Sequence, residues 1–452
     1  MLLIFSVTSR HHGTGPVKYT WNSHGNYVAS SGTSRVVHIF NRRGKLVDQI
    51  VPPSPSPCTL LEWSENGDIL AIVQAHSSSL VLWEWKKIQH HQLVDLPCND
   101  ITLIRWSKSS HSWMLAIGTN RGQVYIYYHV TGTTIQVVSK HKRRILCGDW
   151  NFQDKFAFGS EDQQITICLS SGQIVDQVKI KASPENITFG GKTPGQDAIL
   201  SVNMGGKTIL LYDLNARENA LELAFQTQYG NIVSYQWFGN GYILLGFSSG
   251  YVVVISTQSN KIGQEQYCAK FYEHSLREIV YNEANGMVAT CGDNCIKVVR
   301  MSDWKEIAVK YVDSEPAPSS NAGATASGVA GSLLTSSPSM IADKSGISSG
   351  SGSAHAPLLL IEDLQWTPDG RVLSVSSHNG CLHNFLIPSS ALRSSLFDLD
   401  SPLATVLKPI APWTMLFTMS FMAFAVLLVI SVRFEVSCMD VISAMTGFVK
   451  GV

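Results

Sequence analysis

Residues 17–50 contain the pattern from which the fold can be predicted. It reads VKYTWNSHGNYVASSGTSRVVHIFNRRGKLVDQI, and it divides into four apolar segments at 17–21, 27–30, 36–40 and 46–50. The segments are separated by turns rich in Gly, Asn and Ser, the residues that supply the backbone conformations of tight hairpins. Connections this short leave no room for a parallel crossover. The pattern therefore predicts four short antiparallel strands.

The same unit recurs along the chain. An apolar segment ends in a bulky aromatic residue eight times, at intervals of 42, 43, 44, 39, 48, 44 and 85 residues. Six of these intervals are close to the period of a four-stranded propeller blade. The long interval contains residues 313–357, which are dominated by Ser, Gly, Ala and Pro, and subtracting them restores the period. The aromatic residues are Trp21, Trp63, Trp106, Trp150, Phe189, Trp237, Tyr281 and Trp366.

Many of the predicted strands are apolar on both faces, for example 71–73 and 251–255. Such strands need cover on both sides, which stacked blades provide. We therefore predict an all-β propeller of seven or eight four-stranded blades, in which residues 2–6 close the ring beside residues 381–385. The eight aromatic residues are expected to wedge between neighbouring blades as structural residues, and the units of Phe189 and Tyr281 are the weakest.

The predicted domain organisation has four parts. Residues 1–396 form the propeller, and within it residues 313–357 form a flexible insert, because their composition offers too little apolar surface to offset the entropy of the chain. Residues 397–408 are a linker. Residues 409–433 are a hydrophobic segment, expected as a helix, and residues 434–452 are a tail.

The hydrophobic segment has two interpretations. Residues 409–432 are 24 consecutive residues without a charge, and about 20 apolar residues suffice for a transmembrane helix. Lys408 and Arg433 flank the segment, so charge asymmetry gives no orientation. The segment is either a tail anchor that leaves a cytosolic propeller, or an aberrant C-terminus from a truncated transcript or gene model.

Composition narrows the classes of function. The chain has 34 Lys and Arg residues against 34 Asp and Glu residues, so its formal net charge is zero and no nucleic-acid partner is expected. Nine cysteines and an N-terminus without a signal-peptide pattern predict free thiols in a reducing cytosol. Two basic clusters, 41–45 and 141–144, are either solvated loops or contacts to a partner or lipid headgroup on one rim of the ring.

The candidate phosphate-binding and zinc-binding motifs are incomplete. Residues 190–193 and 205–208 both read GGKT, but Asn186 and Ser201 stand where a phosphate-binding loop needs its first glycine. Residues 291–295, Cys-Gly-Asp-Asn-Cys, lack the two further soft ligands of a zinc site, and we interpret them as a hairpin turn with Gly292 and Asn294 as turn residues.

Two histidine pairs, His11–His12 and His90–His91, fall in predicted connections, where solvated side chains are expected. No Ser/His/Asp or Cys/His group can be placed in one pocket from spacing. The sequence therefore predicts no catalytic residue, no cofactor, no metal ion and no small-molecule substrate.

Four segments are more specific than the period. They are 25–30 (GNYVAS), 150–162 (WNFQDKFAFGSED), 230–250 (GNIVSYQWFGNGYILLGFSSG) and 289–297 (ATCGDNCIK). With the repeat, they resemble the N-terminal propeller of the WD repeat-containing protein 19 family, a WD-repeat subunit of intraflagellar transport complex A. The resemblance runs from residue 2 to residue 387, although the Trp-Asp dipeptide of WD repeats is missing from every third strand.

This resemblance implies a WD40-type β-propeller that acts as a non-catalytic scaffold in retrograde ciliary transport and cilium assembly. The implied partners are other subunits of complex A and ciliary cargo proteins, and the implied location is the cilium and cytoplasm. In that family a second propeller and a long helical array follow, so we expect this chain to be a truncated form. The alternative is a tail-anchored membrane adaptor that presents a cytosolic propeller.

Overall fold

The computed structural model describes residues 1–85, 91–96, 99–109, 113–191, 197–311 and 361–387. Within these ranges the chain has 32 β-strands, one short α-helix and two 3₁₀ helices, and residues up to Ile387 form one compact unit. The strands make eight four-stranded antiparallel sheets. The predicted insert, linker, hydrophobic segment and tail lie outside the described residues.

The first half of the ring follows the predicted order of strands. Strand β1 is Leu2–Val7, and helix α1 is Ser9–His12. Blades 1 to 4 then contain β2 (Lys18–Trp21), β3 (Tyr27–Ser31), β4 (Val37–Asn41) and β5 (Leu46–Ile50); β6 (Cys58–Trp63), β7 (Ile69–Gln74), β8 (Ser79–Glu84) and β9 (His91–Asp95); β10 (Ile101–Trp106), β11 (Met114–Thr119), β12 (Val124–Tyr128) and β13 (Thr133–Val137); β14 (Ile145–Trp150), β15 (Lys155–Ser160), β16 (Gln164–Leu169) and β17 (Ile174–Lys179).

The second half repeats this order. The 3₁₀ helices are Arg217–Asn219 and Thr227–Tyr229. Blades 5 to 8 contain β18 (Pro184–Phe189), β19 (Ile199–Met204), β20 (Thr208–Asp213) and β21 (Leu221–Ala224); β22 (Ile232–Phe238), β23 (Tyr242–Phe247), β24 (Tyr251–Ser256) and β25 (Glu265–Lys270); β26 (Leu276–Asn282), β27 (Met287–Gly292), β28 (Cys295–Arg300) and β29 (Lys305–Tyr311); β30 (Ile361–Trp366), β31 (Val372–Ser377), β32 (Leu382–Leu386) and, as the outer strand, β1.

The N-terminal strand closes the ring. β1 pairs antiparallel with β32, from Leu2 opposite Leu386 to Val7 opposite Leu382. The last blade thus takes three strands from the end of the described chain and one from its beginning. The predicted closure is confirmed, and the choice between seven and eight blades is settled at eight.

The second and third strands of the blades are buried because neighbouring blades cover both of their faces. Every residue of β7, β11, β27 and β31 is buried. Between blades 2 and 3, Ala71 and Leu82 pack with Ile117 and Tyr125 in one apolar cluster. Full burial of a side chain such as Leu82 stabilises the fold by about 1.5–3 kcal/mol. The two-sided apolar strands of the sequence are thereby explained.

The hairpin predicted at residues 291–295 is confirmed, and of its two predicted turn residues Asn294 is confirmed and Gly292 is wrong. Asp293 and Asn294 form the turn between β27 and β28, with φ angles of 43° and 61°. Gly292 instead ends β27, where a Cβ atom would lie 2.1 Å from the backbone oxygen of Ser275. Glycine is therefore required there for close packing and not for a turn. Cys291 and Cys295 are buried free thiols.

Candidate functional site: blade interfaces and rims

The eight aromatic residues lie at or next to the end of the first strand of each blade. Trp21, Trp63, Trp106, Trp150, Phe189 and Trp366 are buried, and Trp237 and Tyr281 are half-buried. Each therefore occupies the same position in its blade, close to the preceding blade. Their contacts fall into three groups, which differ in the hydrogen bonds made across the interface.

In the first group, the indole N–H donates to the backbone oxygen of the preceding blade. The accepting oxygen always belongs to the residue immediately before the aromatic residue of the preceding blade. Four interfaces have this bond, with N···O distances in parentheses: Trp63 to Thr20 (3.1 Å), Trp106 to Glu62 (3.2 Å), Trp150 to Arg105 (2.9 Å) and Trp366 to Val280 (3.2 Å).

In the second group, the indole N–H donates to a serine hydroxyl in the second strand of the preceding blade. Trp21 donates to Ser374 and Trp237 donates to Ser201, both at 2.7 Å. A tyrosine two residues before each tryptophan donates to the backbone oxygen of the same serine: the pairs are Tyr19 to Ser374 (3.0 Å) and Tyr235 to Ser201 (2.9 Å). Burial raises the pKa of both tyrosines, so they remain neutral donors.

In the third group, the aromatic ring has no indole donor, and the preceding blade supplies an acceptor instead. The backbone N–H of Phe189 donates to Asp149 at 2.9 Å, and that of Tyr281 donates to Gln236 at 2.8 Å. Two other interfaces have such an acceptor in addition to an indole bond. There the backbone N–H of Trp106 donates to the side chain of Glu62 (3.1 Å), and the backbone N–H of Trp21 donates to the side chain of Gln365 (3.3 Å). These four acceptors belong to blades 2, 4, 6 and 8.

Two of the four acceptors are charged and paired. Glu62 lies 3.2 Å from Arg105, and Asp149 lies 2.6 Å from Lys108. Burial raises the pKa of Glu62, while the neighbouring guanidinium of Arg105 opposes the shift. Each carboxylate thus holds the next blade by a charge-assisted hydrogen bond, which is stronger than a neutral one.

The first strands of blades 7 and 8 carry a second pair of carboxyl groups. Burial, and the charge of Asp363, raise the pKa of Glu278 to about 7. Burial likewise raises the pKa of Asp363 to about 6. The hydroxyl of Ser234 in blade 6 donates to Glu278 at 3.0 Å. Burial thus brings the pKa of both carboxyl groups towards neutral pH, and the bond from Ser234 to Glu278 links blade 6 to blade 7.

One histidine expected to be solvated is buried, which corrects the sequence prediction. His12, in α1, is fully buried, with Nδ1 donating to the Gly380 oxygen at 3.2 Å and Nε2 2.9 Å from the Ser30 hydroxyl. Burial lowers the pKa of His12 to about 4. His141 is also buried, whereas His11 is exposed as expected. His90 lies outside the described residues, and His91 begins β9.

His141 belongs to a polar network that the sequence analysis missed. Its Nδ1 lies 3.0 Å from both carboxylate oxygens of Asp162, and its Nε2 lies 2.8 Å from the Thr166 hydroxyl. In blade 7, Tyr272 takes the corresponding place and lies 2.9 Å from the Thr290 hydroxyl. The recurrence of a His or Tyr before the first strand and a Ser or Thr in an inner strand was the available signal.

The topology of the blades defines two rims. In an antiparallel meander, the connections between blades and the turns between second and third strands lie on one rim, and the remaining turns lie on the other. The basic cluster at 141–144 precedes β14 and lies on the first rim, whereas the cluster at 41–45 joins β4 to β5 and lies on the second. The two clusters therefore face opposite sides of the ring.

A cavity of about 630 Å³ opens on the first rim at blade 7. Its lining includes Tyr272, Arg277, Asp293 and Lys297. The second GGKT copy forms part of a turn on the same rim, between β19 and β20, with φ of 57° at Gly205. Within the described ranges, no group of three or more His, Cys, Asp or Glu side chains is placed to hold a metal ion.

The sequence matches known proteins over most of the ring. The family described as "WDR19 first beta-propeller" matches residues 17–338. WD repeat-containing protein 19 of Homo sapiens and that of Mus musculus are each 32% identical over 393 residues, which cover 85% of this chain and 26% of the relative. WD repeat-containing protein dyf-2 of Caenorhabditis elegans is 31% identical over 297 residues, 64% of this chain and 21% of the relative. The chain thus spans about a quarter of the length of these curated relatives.

Solved structures agree on the fold. The Saccharomyces cerevisiae protein Sqt1 superimposes with a TM-score of 0.63 at 12% identity, covering 86% of this chain and 99% of Sqt1. The C-terminal WD40 domain of Sif2 gives a TM-score of 0.61 at 14% identity, covering 85% of this chain and 98% of that domain. The fold is a WD-repeat β-propeller, and the chain belongs to the family of the first β-propeller of WD repeat-containing protein 19.

Proposed function

We propose that this chain is a non-catalytic scaffold of intraflagellar transport complex A, acting in retrograde ciliary transport and cilium assembly. Its partners in this proposal are other subunits of the complex and ciliary cargo proteins. The eight aromatic residues serve as joints that keep the ring rigid. The rims then present the connecting loops to partners at fixed positions.

The observation that carries this proposal is membership of the WD repeat-containing protein 19 family over most of the ring. The geometry is consistent with a scaffold, because the polar groups at the blade interfaces are engaged in bonds between blades. Glu62 and Asp149, for instance, each hold both a cation and a backbone N–H. Such groups rigidify the ring and leave recognition to its surface loops.

Affinity purification from ciliated cells tests the proposal. The tagged chain is expressed, and the co-purified proteins are identified by mass spectrometry. Complex A subunits are expected among them. The matched control lacks residues 2–7, so it keeps nearly the whole sequence but cannot close the ring through β1.

The control separates specific binding from adhesion of exposed apolar surface. Complex A subunits should be recovered with the closed ring and lost with the opened one. Recovery of none of them with the closed ring, or equal recovery with both forms, would contradict the proposal.

A tail-anchored membrane adaptor is the second candidate, and the uncharged stretch at 409–432 favours it. In the part of the chain that the structure describes, no helix is long and apolar enough to cross a bilayer. Carbonate extraction of the chain with and without residues 409–452 tests this candidate. Retention of only the longer form in the membrane pellet would support the anchor, and release of both forms would reject it.

A further inference from the structure

Three connections meet on the first rim at blades 3 and 4. They are the turn between β11 and β12, the connection from β13 to β14, and the turn between β15 and β16. Hydrogen bonds between these connections show that they form one surface. Glu161 N–H donates to the Arg144 oxygen at 2.9 Å, and the Ser139 hydroxyl donates to the Gly122 oxygen at 3.4 Å.

Buried contacts hold the backbone of this surface in place. The buried His141 bonds to Asp162 and Thr166, which fixes the middle of the connection from β13 to β14. Gly122, with φ of 82°, packs so closely that a Cβ atom would lie 2.8 Å from the backbone oxygens of His141 and Arg143. The loops are therefore locked to one another, and their side chains project from a defined base.

Five cations project from this base, and all five are exposed: Arg121, Lys140, Lys142, Arg143 and Arg144. Among the described residues, none of them has an ion-pair partner. We name this set the basic rim patch. The turn between β15 and β16 contains two acids. The carboxylate of Asp162 is paired with His141, so Glu161 is the exposed acid of that turn.

We propose that the basic rim patch binds an acidic segment of a protein partner. Five cations on locked loops in a chain of zero net charge make a local positive field that attracts a short anionic segment. A flat anionic membrane would lie against the whole rim, where Glu273 and Asp293 of blade 7 are also placed. Their repulsion from the lipid would offset the patch, whereas a short segment avoids them. This binding does not require membership of complex A.

Fluorescence polarisation tests this proposal with a short labelled peptide of alternating Asp and Glu. A peptide of the same length in Asn and Gln serves as the neutral control probe. The variant is Arg143→Glu with Arg144→Glu. The matched control is Arg43→Glu with Lys45→Glu, which reverses two exposed cations on the opposite rim. A second variant, Lys140→Glu with Lys142→Glu, repeats the test should the first one fail to fold.

The chain should bind the acidic peptide at low ionic strength and release it as salt is added, with no binding of the neutral peptide. Reversal of the charges at 143 and 144 should weaken binding about tenfold, because two exposed ion pairs are lost and the reversed charges repel the peptide. Reversal at 43 and 45 should leave it unchanged.

Three results would overturn the proposal. They are no binding of the acidic peptide, equal weakening by the reversals on both rims, and binding to vesicles of phosphatidylcholine with one-fifth phosphatidylserine in the absence of peptide binding. The last result would assign the basic rim patch to a lipid surface instead.

Discussion

The interface between blades 3 and 4 and the interface between blades 4 and 5 use different chemistry at the same position. At the first, the indole of Trp150 donates to the Arg105 oxygen at 2.9 Å. At the second, Phe189 has no such donor, and its backbone N–H donates to Asp149 at 2.9 Å. In the described structure each of the eight interfaces has one of these two bonds or a bond from the indole N–H to a serine hydroxyl. A blade that lacks the indole is therefore joined by an acceptor from the blade before it.

Truncation of the fully buried tryptophan should have the largest effect. Trp150→Ala removes the ring from a cluster that includes Phe156 and Phe158, and it should cost about 3–5 kcal/mol of unfolding free energy. Denaturant unfolding followed by circular dichroism measures this loss. The half-buried Tyr281, changed to Ala, is the comparison and should cost less. A cost below that of Tyr281→Ala would contradict the importance of the indole joint.

Removal of the substitute acceptor should come next. Asp149→Ala leaves the Phe189 N–H without its acceptor and Lys108 without its partner, and it should cost about 1–3 kcal/mol. Lys108→Ala removes only the ion pair, and Asp149→Asn keeps an oxygen acceptor, so both should cost less than Asp149→Ala. Chemical denaturation of the three variants ranks them. Equal losses in all three would show that the ion pair, and not the bond to the next blade, is what matters.

Removal of the indole donor alone should have a smaller effect. Trp150→Phe keeps an aromatic ring but leaves the Arg105 oxygen without its donor, at a cost of about 1–2 kcal/mol. Thermal unfolding of Trp150→Phe and of a double variant with Asp149→Ala measures whether the two interfaces act independently. Additive losses would show separate joints, whereas a large coupling would show that the two interfaces form one unit.

The sequence predicted the blade period and the closing strand, because these follow from turn residues and aromatic spacing. It did not predict the acceptors of blades 2, 4, 6 and 8, since Glu62, Asp149, Gln236 and Gln365 differ in chemistry and share only a position. It also placed His12 in solvent and did not predict the burial of His141, because a histidine in a loop has no local signal of burial. The partners of His12, Ser30 and Gly380, are distant in sequence.

The pH dependence of stability should distinguish the ring-closing interface from the carboxyl pair of blades 7 and 8. The pKa of His12 is about 4 in the fold, below its unfolded value, so its contribution is present above pH 6.5 and is lost as the pH falls. The pKa of Glu278, about 7, is raised by burial, so its contribution has the opposite sign and grows as the pH falls from 7 towards 4.5.

Between pH 7 and pH 5, His12→Gln should therefore lose less stability than the unmodified chain, and Glu278→Gln should lose more. Each difference should be about 1 kcal/mol, which is smaller than the full shifts imply. Urea unfolding at several pH values measures both differences. Parallel pH profiles for the two variants would contradict the burial assigned to these groups.

Closure of the eight-bladed ring by β1 is the central feature of this fold. Leu2→Cys with Leu386→Cys tests it directly, because these exposed residues face each other across β1 and β32. Oxidation of the folded protein should give an intramolecular disulfide, seen by peptide mass mapping, that raises the melting temperature. Failure to form this disulfide, or formation only between two molecules, would show that the N-terminal strand does not complete the ring.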